Sequence, residues 1–189
     1  TSSAHQCADW EGRWRELRPR TQFDLGHIAP ALEGLRSELS SWPGGALSNG
    51  VDQVSEVWCY VPGSGRGYDV TWLAGLSPRH HSIGLDISPA ATEAAERWSS
   101  GTNARAHFQT SDFLQLSSPP QSLPPPVKSP APGGYSIGYD YAFLSCLHPD
   151  QRRDWALAHA NQLRPGGVLV TLIFPLGEWG AGPPWAMSF

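Results

Sequence analysis

Hydrophobic positions along the chain alternate between two rhythms. Short apolar runs at residues 56–61, 81–87, 106–109, 135–143 and 168–174 read as five strands. Between them lie segments of helical period. Ile28, Leu32, Leu35 and Leu39 recur at i, i+4, i+7 and i+11, which predicts one helix with Pro30 tolerated in its first turn. Residues 68–75 read as a helix leaving a glycine-rich turn, and a further helix spans about 149–163. Ser88-Pro89 opens another, because serine can cap free amides and proline loses nothing at the first helical position. Ala91, Ala94, Ala95 and Trp98 would form its buried face. Strands alternating with helices at these lengths imply parallel pairing through right-handed crossovers. The expected architecture is a doubly wound, Rossmann-like α/β sheet, mostly parallel.

Three stretches break the rhythm. Residues 41–49, rich in Ser, Gly and Pro, form a loop, and Arg164-Pro165-Gly166-Gly167 turns into the fifth strand. Residues 117–134 hold seven of the eighteen prolines, which excludes helix and strand and marks a polyproline-like insertion. The whole of 1–189 is expected to be one domain, with 1–40 as an N-terminal helical lid.

The chemistry concentrates after the first strand. Gly63, Gly65 and Gly67 follow the apolar run ending at Val61, and Asp86 ends the second strand nineteen residues past Gly67. Glycines let a ligand approach bare backbone, and a carboxylate ending strand two can accept both ribose hydroxyls. A dinucleotide fingerprint would place its third glycine at position 68, where this chain has Tyr68. The observed G-x-G-x-G spacing suits S-adenosylmethionine, whose amino-acid end is zwitterionic. Ligands in such sheets sit beyond the carboxyl ends of the strands, where Asp86, Asp112 and Tyr141 also fall.

Composition narrows the class. With 40% hydrophobic and 16% charged residues, 189 residues can build one core, and no apolar stretch reaches the length of a membrane span. No apolar signal core stands at the N-terminus. A formal charge of −4 with scattered basic residues argues against nucleic acid as partner. Cys7, Cys59 and Cys146 are odd in number and widely spaced, so neither a disulfide framework nor a zinc site is indicated and a reducing cytoplasm is expected. The seven histidines form no ligand pattern, and no metal is expected.

The segments VPGSGRGYD, GLDISPAA, DYAFLSCLHPDQRRDWA, LRPGGVLVTLIFPL and GPPW, in this order from about Trp10 to Trp185, resemble the thiol and halide methyltransferase branch of the thiopurine S-methyltransferase family. That family belongs to the class I S-adenosylmethionine-dependent enzymes. The resemblance implies cofactor contacts by Trp10, Trp14 and Phe23, by Gly63 and Gly65 in the loop, by Asp86 on the ribose, by Asp112 and Phe113 beside the adenine, and by Tyr141. Aromatic rings stabilise a sulfonium and exclude water. From the residues alone, Trp10 and Trp14 at i and i+4 equally fit an amphipathic helix docked on the core. The resemblance further implies methyl transfer to a small thiol, thiocyanate or halide, with Asp140 and Tyr141 near the methyl as positioning groups. An anionic acceptor requires no general base.

Two features depart from the family pattern. Phe23 stands where the family usually has Trp, and the chain stops at Phe189, where the family continues through a helix and two antiparallel strands. The usual C-terminal strands are therefore expected to be missing, leaving strand five as an apolar edge open to pairing with a second copy. The alternative function is a non-catalytic relative that binds the cofactor or folds only with a partner. A nicotinamide oxidoreductase is disfavoured by Tyr68.

Overall fold

The computed structural model describes residues 3–16, 23–42, 56–102, 105–117, 134–178, 180 and 182–188. Its centre is a five-stranded sheet in the order β3-β2-β1-β4-β5, made of β1 (Val57–Pro62), β2 (His80–Asp86), β3 (Ala106–Thr110), β4 (Tyr135–Tyr141) and β5 (Leu163–Leu172). Every pairing is parallel, from Val57↔His80 at the start of β1 to Tyr141↔Leu172 at the end of β4. The chain runs outward from β1 to β3 and then returns to place β4 on the other side of β1. The carboxyl ends of β1 and β4 therefore flank the point where the strand order reverses, and a crevice opens there.

Strand alternation sorts β1 between two hydrophobic layers. Val57, Cys59 and Val61 pack with Val70, Leu73, Ile137 and Tyr139 on one face. Tyr60, on the other, packs with Ile83, Leu85, Phe113, Tyr135 and Ala158. Each such side chain, when fully buried, contributes on the order of 1.5–3 kcal/mol. The helices covering these faces are α4 (Tyr68–Ala74), α5 (Pro89–Ser99) and α7 (Arg152–Gln162). Ser88 caps α5 as its sequence implies, its hydroxyl accepting from the Ala91 amide at 3.2 Å, with Pro89 in the first turn.

Several elements differ from the sequence pattern for identifiable reasons. The helix expected through Ile28, Leu32, Leu35 and Leu39 is two short helices, α2 (Pro30–Glu33) and α3 (Arg36–Ser40). Gly34 ends the first by bonding back to Pro30 and Leu32, while Leu32 and Leu39 remain buried. Trp98 is not on the buried face of α5: it is 44% exposed and meets Tyr68 edge-on at 4.7 Å. Ala91 and Ala95 bring that helix close to the sheet and leave the indole at the rim. β4 stops at Tyr141 rather than 143, because the Asp140 carboxylate accepts the Leu144 amide at 3.2 Å. Ala142 takes a left-handed φ of 69° and the chain turns into α6 (Phe143–Cys146). The Arg-Pro-Gly-Gly segment lies within the span of β5 as an irregularity, with pairing jumping from Tyr135↔Leu163 to Ile137↔Val168. β5 ends at Leu172, not 174.

β3 and β5 are the outer strands of the described sheet. Leu172 and Ile173, at the end of β5, are each 37% exposed. The proline-rich 118–133 and the loop beyond Trp42 lie outside the described residues. Among those residues, no helix is long and apolar enough to cross a membrane.

Candidate active site

The turn after β1 is shaped by glycine. Gly63 and Gly65 adopt φ of 59° and 52°, and a Cβ on either would collide with Phe143 or with Trp14. The missing side chains let the Phe143 and Trp14 rings close on the turn, leaving Gly63 exposed at the crevice and Gly65 buried beneath Trp14. Asp86 fixes the turn to β2: one carboxylate oxygen accepts the Gly65 amide at 3.0 Å and the other the Ser88 amide at 2.9 Å. Burial pushes the Asp86 carboxyl up to about 6, against the opposing effect of these amides.

An aromatic wall faces this turn. It comes from α1 (Ser3–Glu16) and the segment after residue 22. Trp10 meets Phe23 edge-on at 5.3 Å, with the Arg13 guanidinium 5.4 Å from the Trp10 ring. Trp14 packs over Gly65, and the Arg66 guanidinium lies 5.8 Å from its ring while pairing with Asp24. Helix α1 is held by Glu11, whose Oε2 accepts the Ser88 hydroxyl at 2.6 Å and the Ala90 amide at 3.0 Å. The Cys7 thiol donates to the Ile87 carbonyl at 3.3 Å.

The remaining wall follows β4 and β5. Tyr141 stacks on Phe174 at 5.7 Å, and both line the cleft together with Phe143 and Cys146. The cleft measures about 1130 Å³ counting its open mouth. It adjoins a smaller compartment through Trp10, Gly63, Asp86 and Phe143, which line both. That compartment is closed by Asp112 and Phe113 on the turn after β3. Asp112 steadies this turn by accepting the Leu114 amide at 3.0 Å.

Of the residues expected from sequence, Trp10, Trp14, Phe23, Gly63, Gly65, Asp86 and Tyr141 line the main cleft, and Asp112 and Phe113 the adjoining compartment. Asp140 is not brought to it. Its carboxylate is fully buried beneath, taking the Leu144 amide and the Trp155 indole N–H at 2.7 Å, and burial pushes it up to about 6. Strand alternation explains the divergence, since neighbours on β4 point to opposite faces of the sheet.

The pattern did not single out Asp24, Asp69, His27 or Phe174, all in the lining. Asp69 carried a local signal, being in the first turn of the helix that leaves the glycine loop. Asp24 carried none, because its partner Arg66 is forty-two residues away.

The residues fit S-adenosylmethionine on three counts. Aromatic faces suit a sulfonium, Gly63 leaves backbone exposed at the cleft, and the Asp86 carboxylate keeps acceptor capacity beyond its two amides. A structure from work on the conversion of a disulfide bond into a thioacetal group during echinomycin biosynthesis matches with a TM-score of 0.64 at 21% identity, over 88% of this chain and 59% of that one. Phosphoethanolamine N-methyltransferase 1 of Haemonchus contortus, solved with phosphoethanolamine and S-adenosylhomocysteine, matches at 0.59 and 15% identity, over 89% of this chain and 31% of that one. The fold is that of the class I, Rossmann-like methyltransferases.

The family model for thiopurine S-methyltransferase matches residues 5–188, and the chain belongs to that S-adenosylmethionine-dependent family. Probable thiol methyltransferase 2 of Arabidopsis thaliana is 33% identical over 98% of this chain and 70% of its own length. Thiocyanate methyltransferase 1 of Brassica oleracea is 30% identical over 95% of this chain and 67% of its own. The chain thus spans about two thirds of the length of these relatives.

Proposed function

We propose that this protein transfers the methyl group of S-adenosylmethionine to a small sulfur nucleophile, a thiol or thiocyanate, with halide as a related acceptor. The observation that carries the reading is the convergence, at the point of strand reversal, of an aromatic wall, a glycine turn and the Asp86 carboxylate on one cleft. The names of the similar plant enzymes support the acceptor class.

The sulfonium supplies an already activated methyl group, so approach and alignment carry most of the catalysis. In this reading Trp10, Trp14 and Phe23 face the positive sulfur and exclude water, which strengthens electrostatic contacts inside the cleft. Asp86 takes the ribose hydroxyls, Asp112 and Phe113 border the adenine, and Tyr141 with Phe174 forms the acceptor wall. Asp140 acts at one remove: it anchors α6 and thereby places Phe143 against the glycine turn. The three free cysteines are consistent with a reducing, cytoplasmic setting.

Calorimetric titration with S-adenosylhomocysteine tests the reading, run beside Asp86→Asn, which keeps an acceptor for one of the two amides. One-site binding by the wild type and at least tenfold weaker binding by the variant are expected. A folded wild type that does not bind refutes the function, and equal binding by the variant refutes the role of Asp86.

A further inference from the structure

One carboxylate in the cleft has no part in the cofactor roles above. Asp69 sits in the first turn of α4, directly after the glycine turn, and lines the main cleft but not the adjoining compartment. One of its oxygens accepts the Ala29 amide at 2.9 Å. The other has no hydrogen-bond partner among the described residues.

The groups that face Asp69 are Tyr139 and Tyr141 from β4 and His27 from the segment before α2. The Tyr139 hydroxyl is buried without a hydrogen-bond partner among the described residues, and Tyr141 shares the cleft with Asp69. The other charged side chains in the lining are Asp24, Arg66 and Asp86. Arg66 pairs with Asp24, and Asp86 is tied to two amides. An anion arriving beside Tyr141 therefore meets the Asp69 carboxylate, while the arginine among the described lining residues, Arg66, is paired with Asp24 and Arg13 stands behind the Trp10 and Phe23 rings. A neutral thiol meets the same carboxylate as a hydrogen-bond acceptor.

We infer that Asp69 is the proton acceptor of this site and that the acceptor substrate it serves is a neutral thiol, not a preformed anion. The inference rests on the methyltransferase reading above. As a lone pair of the thiol sulfur forms the new carbon–sulfur bond, the S–H proton passes to the free oxygen of Asp69. The electron pair of the breaking bond stays with the departing sulfur. The positive charge of the sulfonium and the negative charge of the carboxylate vanish together, leaving a methyl thioether, S-adenosylhomocysteine and a protonated Asp69. Solvent reclaims the proton when the products leave. Burial pushes the Asp69 carboxyl up to about 6, which brings it nearer to a thiol of about 8.5 while keeping it ionised at neutral pH.

Asp69→Asn tests this, because the amide oxygen can still accept from Ala29. The probes are an alkyl thiol, protonated at neutral pH, and thiocyanate, which carries no proton. For the thiol at pH 7, kcat/KM is expected to fall about a hundredfold or more, the loss of a general base. The acid limb of its pH profile near 6 should vanish, leaving a rate that follows the thiolate fraction. For thiocyanate, kcat/KM should rise severalfold as the repulsion is removed. Calorimetry with S-adenosylhomocysteine, which does not depend on turnover, should give a Kd within threefold of wild type. A tenfold weaker Kd would assign Asp69 to the cofactor instead, and equal losses on both acceptors, or an unaffected thiol reaction, would also overturn the inference. If the wild type binds S-adenosylhomocysteine yet methylates neither probe, the proposed function itself fails. If it methylates the thiol and Asp69→Asn does so equally well, only this inference fails.

Discussion

Removing the Glu11 carboxylate should loosen the cofactor site without touching the sheet. Glu11 joins α1 to the amino end of α5, where its Oε2 accepts the Ser88 hydroxyl and the Ala90 amide. These bonds hold its carboxyl below the usual range, the Ser88 hydroxyl contributing most and the Ala90 amide next. The side chain is 19% exposed, so charge-assisted bonds are partly screened and each is worth about 1 kcal/mol. Glu11→Ala then costs the docked position of α1 about 2 kcal/mol, and Glu11→Gln, which keeps a neutral acceptor, about half of that. At 1.4 kcal/mol per decade, the Kd for S-adenosylhomocysteine should rise at most about 30-fold for alanine and about fivefold for glutamine. Trp10 and Trp14 reach the cleft from this helix, which is why a contact outside the cleft should control binding within it. Isothermal titration of the three proteins at one salt concentration reads the series. A Kd unchanged within twofold for a folded Glu11→Ala would refute the reasoning, since it would show that α1 stays docked by packing alone.

Trp10→Leu should separate the charge of the cofactor from its shape: binding of the cationic S-adenosylmethionine should weaken roughly two- to thirtyfold more than that of neutral S-adenosylhomocysteine. Equal losses measured by calorimetry would show that the ring acts only by packing. His159 is buried with its Nδ1 2.7 Å from the Tyr60 hydroxyl, and burial depresses it to about 3. The unfolded chain titrates near 6.5 and so binds the proton first as pH falls. The stability associated with neutral His159 is therefore complete above about pH 6.5 and is lost progressively as pH drops toward 3. Imidazole NMR shifts should report a neutral ring at pH 5, and half-protonation near 6 would contradict the burial argument.

The strands were legible because each is a short apolar run bounded by turn residues, and the helix cap at Ser88-Pro89 because its chemistry is local. Asp86 could be placed by counting from the glycine turn. Asp140 was misplaced although β4 itself held the information: if Tyr141 faces the cleft, alternation sends Asp140 to the opposite face, toward Trp155. The split between α2 and α3 was marked by Gly34, but a glycine inside a helical period costs only about 1 kcal/mol and does not by itself decide a break.

By itself, the sequence determined the order of strands and helices, the glycine turn and the acidic end of β2, since these depend on residues a few positions apart. Only the tertiary structure decided which charges answer one another. Glu11 reaches Ser88 and Ala90, Arg66 reaches Asp24, and Ala29 donates to Asp69 across forty residues. Such contacts follow from where the sheet reverses and how helices settle on its faces, and no local spacing encodes that geometry. The same packing left Asp140 beneath the site and set Asp69 in the lining of the cleft.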